Sequence, residues 1–332
     1  MTVYRSHSRA TGSFLRMAGN SIAFASREKR LCVVNYHRIL RAPDPMLETE
    51  PDVAAFCWQM ALLADCFNVL PLHEALTALD EGRLPPRAVC ITFDDGYRSV
   101  HDLALPILQE LGLSATVFVT SGYIGERNMW NDRIIEAVQG LPSGQLDLSD
   151  VGLRAYSLYS LDDRKATLQE LTEASKYLPP KARVGLIERL ETLVGDGLAH
   201  GLMLRPEMVV NLERNGIEIG AHTISHPILT SLDDQSARLE IGGGKEELEA
   251  ITGKPVRMFA YPNGKVDKDF DARHVAMVRE AGFSAAFTTA VGAITRDQDR
   301  FQLPRSRPWD NTPLTFGLRL LRWLAAKPLS IK

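Results

Sequence analysis

The sequence is short of every feature that would place it in a special class. Among 332 residues there are four cysteines, Cys32, Cys57, Cys66 and Cys90, and no two form a Cys-x-x-Cys pair. That scarcity argues against a disulfide framework and favours a reducing compartment. Neither sign of charge dominates: 38 Lys and Arg against 41 Asp and Glu leave a net charge of −3. Nucleic acid as a partner therefore has no electrostatic support. No run is long and apolar enough to span a bilayer. The first 30 residues scatter Arg5, Arg9 and Arg16 where a secretory signal would carry an unbroken apolar segment. The chain accordingly reads as cytoplasmic, with a peripheral seat on the inner membrane as the variant reading. There is no internal repeat and no low-complexity tract. The 45% hydrophobic and 24% charged residues that remain are those of an ordinary globular protein with length for a large core.

Apolar runs of strand length alternate with segments of helical spacing. Residues 31–37, 89–93, 115–120, 217–221, 256–261 and 284–289 read as buried strands, and 301–307 as a last strand-like run. Residues 53–67, 72–81, 99–111, 233–252 and 270–281 read as helices. This alternation predicts an α/β fold, a parallel sheet or barrel with helices outside. Residues 1–30 read as a polar, basic tail and 31–310 as the barrel domain. Within it, 128–205 reads as a helical insertion, placed where a lid or substrate wall would sit. Residues 311–332 read as a C-terminal amphipathic helix or tail. Its Leu, Phe and Trp residues, mixed with Arg319, Arg322 and Lys327, suit a helix docked on the barrel or one lying on a membrane surface.

The chemistry concentrates at two strand ends. Val-Cys-Ile-Thr-Phe-Asp-Asp-Gly, residues 89–96, runs from a buried strand straight into two adjacent carboxylates, Asp94 and Asp95. Open and closed α/β folds put reactive groups at the carboxyl ends of strands, and neighbouring acids repel unless a cation sits beside them. A second strand-like run is followed by His222-Thr-Ile-Ser-His226, two histidines four apart, which one helical turn would bring to one ion. Taken singly, the first motif is an ordinary turn and the second a pair of surface histidines. Together they predict a hydrolytic metal site of one aspartate and two histidines with a position left open for water.

Thr92-Phe-Asp-Asp-Gly96, His222-Thr-Ile-Ser-His226 and Phe259-Ala-Tyr-Pro-Asn-Gly264 together resemble the first three motifs of the polysaccharide deacetylases, carbohydrate esterase family four. The resemblance covers roughly residues 31–307 and implies a distorted (β/α)7 barrel. It also implies a divalent metal, zinc above all, with Ni2+, Co2+ or Fe2+ as alternatives. The implied reaction removes an N-acetyl group from an amino sugar of an exopolysaccharide or cell-envelope glycan. By the same resemblance Asp94 is the general base acting on a water at the metal, and Asp95, His222 and His226 are the ligands. The backbone N–H of Asn263 helps hold the oxyanion, and Tyr261 and Pro262 touch substrate. His37, in Asn35-Tyr-His-Arg38, matches the exopolysaccharide branch in which the acid histidine lies near the front of the domain. As a residue alone, a buried strand-end histidine is also a common structural element.

The chain departs from the family pattern at two places. The Leu-x-His motif near the C-terminus is missing, since no histidine follows His274. The third-motif arginine is replaced by Ala260, so Arg305 or Arg307 would have to reach Asp94 from the last strand-like run; Arg305 is also a candidate substrate contact. Trp130, followed by Asn131 and Asp132, is placed to stack on a sugar or to pack beneath the insertion. Competing functions are an O-acetyl esterase, a deacetylase of a lipid- or nucleotide-linked sugar, and an inactive glycan-binding barrel.

Overall fold

The protein is described from a computed structural model over residues 8–26, 28–125, 128–178, 180–195, 201–307 and 310–326. It opens with helix α1 (Arg9–Ala25) and strand β1 (Leu31–Tyr36). Then follow α2 (Val53–Cys66), β2 (Asn68–Val69), α3 (Leu72–Asp80), β3 (Ala88–Phe93), α4 (Leu105–Glu110, entered through a π-helical turn at Val100–Ala104) and β4 (Thr116–Val119). An excursion comprises α5 (Trp130–Gly140), the hairpin β5 (Gln145–Asp147) and β6 (Ala155–Ser157), α6 (Leu161–Lys176) and α7 (Pro180–Val194). The alternation resumes with α8 (Pro206–Arg214), β7 (Glu218–Ala221), α9 (Asp234–Thr252), β8 (Met258–Ala260), α10 (Ala272–Glu280), β9 (Ala285–Phe287), β10 (Ala293–Ile294) and α11 (Pro313–Ala325).

Strands β1, β3, β4, β8 and β9 are buried along their whole length, as expected of parallel strands covered on both faces. The sheet order is β10-β1-β3-β4-β7-β8-β9, parallel throughout except for β10 on the edge of β1. The sheet curls until segment 303–306 bridges its two ends, Leu303 pairing with Phe287 of β9 and Ser306 with Val34 of β1. The α/β class and the distorted barrel expected from the sequence are what the chain forms. The last strand-like run is reduced to two isolated bridges, because Pro304 lacks the N–H that a continuous ladder needs.

Inside the curl, Val33, Cys90, Phe118, Met258, Ala260 and Phe287 meet in one apolar cluster, with Leu72, Leu76 and Leu79 of α3 below it. Gly220 makes this possible: a Cβ there would lie 2.5 Å from the Phe118 ring. The excursion carries its own apolar cluster, including Ile134, Val138, Leu171 and Leu190, and contains the β5–β6 hairpin as well as the expected helices.

One terminal reading changes and the other is narrowed. Residues 9–25 are not a loose tail but a 17-residue helix capped by Ser8. Its inner stripe of Leu15, Gly19 and Ile22 packs on α11, where Gly317 receives Leu15 and Leu321 lies against Gly19. Helix α11 in turn buries Phe316, Leu320, Leu321, Trp323 and Leu324. Its main apolar face is therefore docked on the barrel, one of the two placements its composition suited.

Candidate active site

The site sits at the carboxyl ends of β1, β3 and β7. Asp94 and Asp95 follow β3 directly, both buried, and Asp95 takes a left-handed φ of 73°. The Asp94 N–H donates to the Tyr36 carbonyl at 2.9 Å, continuing the β1–β3 ladder by one residue.

The two carboxylates have opposite surroundings. Arg305 holds Asp94 with a two-pronged grip, Nη1 to Oδ1 at 2.6 Å and Nη2 to Oδ2 at 2.8 Å, and Asn35 Nδ2 adds a third donor to Oδ2 at 2.9 Å. Burial alone would raise the Asp94 pKa, but Arg305 outweighs it and holds the group well below the usual carboxylate range. Arg305 is itself buried and lies over Phe118 and Phe287 at 5.0 and 5.9 Å. Segment 303–306 delivers it from the closing seam of the barrel, and Ala260 leaves the interior position of the third motif small. As a substrate contact Arg305 is therefore corrected: it is sealed against Asp94.

Asp95 has no such partner. Burial and then the Asp94 charge push its carboxyl well above the usual range, and its Oδ1 is buried without a hydrogen bond. That oxygen lies 3.5 Å from Nε2 of both His222 and His226, and the three ligand atoms fall within 4.8 Å of one another. His222 donates its Nδ1–H to the Ala260 carbonyl at 2.7 Å, which leaves Nε2 as a lone pair aimed at Asp95. This is the tautomer and orientation a metal ligand needs. Burial lowers the pKa of both histidines, so both stay neutral and able to ligate. An orphaned buried carboxylate oxygen facing two neutral imidazoles fits a divalent cation of the zinc type.

The imidazoles do not converge through a helical turn, as the four-residue spacing suggested. Residues 222–226 form a loop with Thr223 and His226 at φ of 66° and 55°. Glu240 of α9 pins that loop, accepting the Ile224 and Ser225 N–H groups at 2.9 and 2.8 Å and the Ser225 hydroxyl at 2.6 Å. Gly244 lets α9 come this close: a Cβ there would be 3.0 Å from the Thr223 backbone.

His37 follows β1, partly buried, with Nδ1 lacking a hydrogen bond. Burial pushes it down to about 4, helped by Arg307 and opposed by Glu50 and Asp94. The Glu50 carboxylate is held by Arg307 at 2.5 Å. Asn263 sits at φ 56° after Pro262, and its N–H meets no acceptor among the described residues. Tyr261, expected to meet substrate, instead stacks on Phe270 at 3.7 Å with its hydroxyl on the Phe301 carbonyl, because its strand position faces the outer core. Trp130 is buried under the Arg183 guanidinium at 4.8 Å, so neither ring face is an open platform. Its neighbour Asp132 ties the excursion to the barrel through Arg38 at 3.1 Å and the Tyr97 hydroxyl at 3.0 Å, and burial moves its pKa up to about 6. Glu50, Asn35 and Glu240 carried no sequence signal beyond position; Asn35 alone stood inside a motif quoted for another residue. A cleft of about 510 Å³, lined by Asp44, Glu48, Glu50 and Asp52, opens beside Glu50.

A curled parallel barrel that presents Asp-His-His beside an arginine-clamped aspartate defines the class: a hydrolase-type site on a distorted α/β barrel. The chain belongs to the polysaccharide deacetylase family, whose model matches residues 81–286. It is 22% identical over 284 residues to YxkH of Bacillus subtilis, provisionally named a polysaccharide deacetylase, covering 84% of this chain and 71% of that protein. Over 107 residues it is 30% identical to the poly-beta-1,6-N-acetyl-D-glucosamine N-deacetylase of Staphylococcus aureus; that match spans 32% of this chain and only 37% of the staphylococcal protein. Among solved structures, the deacetylase PplD of Streptococcus pyogenes superposes with a TM-score of 0.58 at 18% identity, over 91% of this chain and all of that one. IcaB of Ammonifex degensii gives 0.58 at 19% identity, over 90% and 97%.

Proposed function

We propose that the protein is a metal-dependent N-deacetylase of an amino-sugar polymer, an exopolysaccharide or cell-envelope glycan. The observation that carries this reading is the unpaired Asp95 oxygen, 3.5 Å from two imidazole nitrogens and adjacent to a carboxylate fixed by Arg305. The name of the staphylococcal relative supports the choice of amide over ester and of N-acetylglucosamine polymer as substrate class.

Asp95, His222 and His226 would hold the ion. Bound there, a divalent cation would polarise the acetyl carbonyl and acidify a water. Asp94 remains ionised because of Arg305, and its Oδ1, which takes only one of the three donors, keeps a lone pair for the proton of the attacking water. Asn263 offers its backbone N–H to the oxygen on which charge develops. His37 gives a proton to the departing amine. Since burial keeps His37 neutral at pH 7, it must first receive that proton within the site.

The same observation favours a second reading, in which His37 is both base and acid and Asp94 acts by charge alone. Arg305 makes Asp94 a weak base, whereas the His37 Nδ1 is unengaged. Acetate release from soluble N-acetylglucosamine oligomers by the zinc-loaded chain tests the activity, with O-acetylated sugars as the comparison. Preference for the O-acetyl substrates would reverse the assignment of amide over ester. The Asp94→Asn variant separates the two readings: loss of several orders of magnitude in kcat fits Asp94 as the base, and a loss of tenfold or less fits His37.

A further inference from the structure

We propose that α1 and the outer edge of α11 form a docking surface for an anionic phospholipid membrane. Phe24 is 94% exposed, Met17 65% and Phe14 46% on α1, with Leu314 and Leu318 of α11 exposed at 43% and 41%. Single exposed apolar side chains are ordinary, but five on one pair of helices make a patch.

The helices run in the same direction, with Leu15 at Gly317 and Gly19 at Leu321. In that register the right-handed wheel turns Phe14, Leu314 and Leu318 to one flank of the pair, and Met17 and Phe24 continue around its outer face. The opposite flank is fixed to the barrel, Arg16 pairing with Asp65 of α2 and Arg87 lying against Gly19. Nothing among the described residues covers the outer flank.

Charge selects the occupant. Neither α1 nor α11 contains an acidic residue, and each carries two arginines. Residues 1–30 and 311–332 together hold ten basic residues against one acid, Glu28, in a chain whose net charge is −3. The rest of the molecule is thus net acidic, and a net positive balance is found at the termini that carry the apolar patch. Arg16 and Arg319 are committed to Asp65 and Asp310, but Lys29, four residues beyond the end of α1, and Arg322 of α11 are exposed. Apolar side chains flanked by cations match an anionic lipid interface better than a protein groove. The site chemistry does not enter this inference, so it stands or falls apart from the deacetylase reading.

The test is co-sedimentation of the full chain with vesicles of phosphatidylcholine, with and without phosphatidylglycerol. The chain should partition at least roughly tenfold more strongly onto the phosphatidylglycerol vesicles, and added salt should weaken it. Phe14→Ser/Met17→Ser/Phe24→Ser should lower partitioning by roughly tenfold or more, and Arg322→Glu should reduce the preference for phosphatidylglycerol. If the triple variant melts at a lower temperature than the parent, Phe24→Ser alone replaces it. Absence of binding to the anionic vesicles, or equal binding by the apolar variants, overturns the proposal. So does loss of a concentration-dependent self-association in the triple variant with vesicle binding unchanged, which would assign the patch to a second copy of the chain.

Discussion

Arg305 grips both carboxylate oxygens of Asp94, at 2.6 and 2.8 Å, across 211 positions of sequence. The segment that carries Arg305 is also the one that joins β9 to β1. Closing the barrel and fixing the carboxylate are therefore one structural event, and neither group is left as an uncompensated buried charge.

Removing the arginine should cost both stability and rate. Arg305→Ala leaves Asp94 buried and unpaired, at about 3–5 kcal/mol, and kcat should fall by roughly a hundredfold or more. Arg305→Lys restores the charge but not the two-pronged geometry, so stability should recover further than kcat. Urea unfolding and steady-state kinetics measure the two; full recovery of kcat in the lysine variant would contradict a positioning role for the fork.

The support beneath that pair is equally specific. Gly220→Ala would put a methyl 2.5 Å from the Phe118 ring on which Arg305 rests. The expected cost is about 1–3 kcal/mol, with a fall in kcat because the ring must move. Phe118→Leu in the same chain should return part of the stability. An unaltered unfolding midpoint in Gly220→Ala would show that the ring is not held as described.

His37→Ala should slow amide substrates far more than an activated aryl acetate, whose leaving group needs no proton. Parallel rate constants on the two substrates decide this. Equal losses would take His37 out of the acid role.

His37 also predicts a pH dependence of stability. Its folded pKa of about 4 lies below the unfolded value of about 6.5. The folded state thus binds this proton more weakly, so the contribution is complete above about pH 6.5 and is lost as pH falls towards 4. Allowing for partial exposure it amounts to at most about 2 kcal/mol. His37→Gln should therefore melt less steeply with falling pH than the parent. His222 and His226 are shifted in the same direction in both proteins and cancel in the comparison. Identical pH slopes would mean that His37 is not a buried neutral base.

Much of this was readable in the sequence because the reactive residues terminate apolar runs. Residues 89–93 could only be a buried strand, so Asp94 and Asp95 had to sit at its exit, and 217–221 places His222 likewise. What escaped reading depended on contacts between distant segments. Nothing local distinguishes Glu240 from other helix-surface acids, yet it fixes the loop that aims His226. Gly243 and Gly244 of α9 provide the space into which that loop approaches, with the Thr223 backbone 3.0 Å from where a Cβ on Gly244 would lie. Helix α1 was missed because its packing on α11 uses Gly19 and Gly317, where close approach replaces apolar bulk. Tyr261 was assigned to substrate by motif, and Trp130 was left between a sugar platform and packing beneath the insertion; only the packing partners Phe270 and Arg183 reveal where each ring sits.

Metal content of purified variants tests the central arrangement most directly. After saturation with zinc and dialysis, the parent chain and Asp94→Asn should each retain about one ion, while Asp95→Asn and His222→Ala should retain almost none. Retention by Asp95→Asn, or loss from Asp94→Asn, would contradict the division of the paired aspartates into one ligand and one arginine-held base.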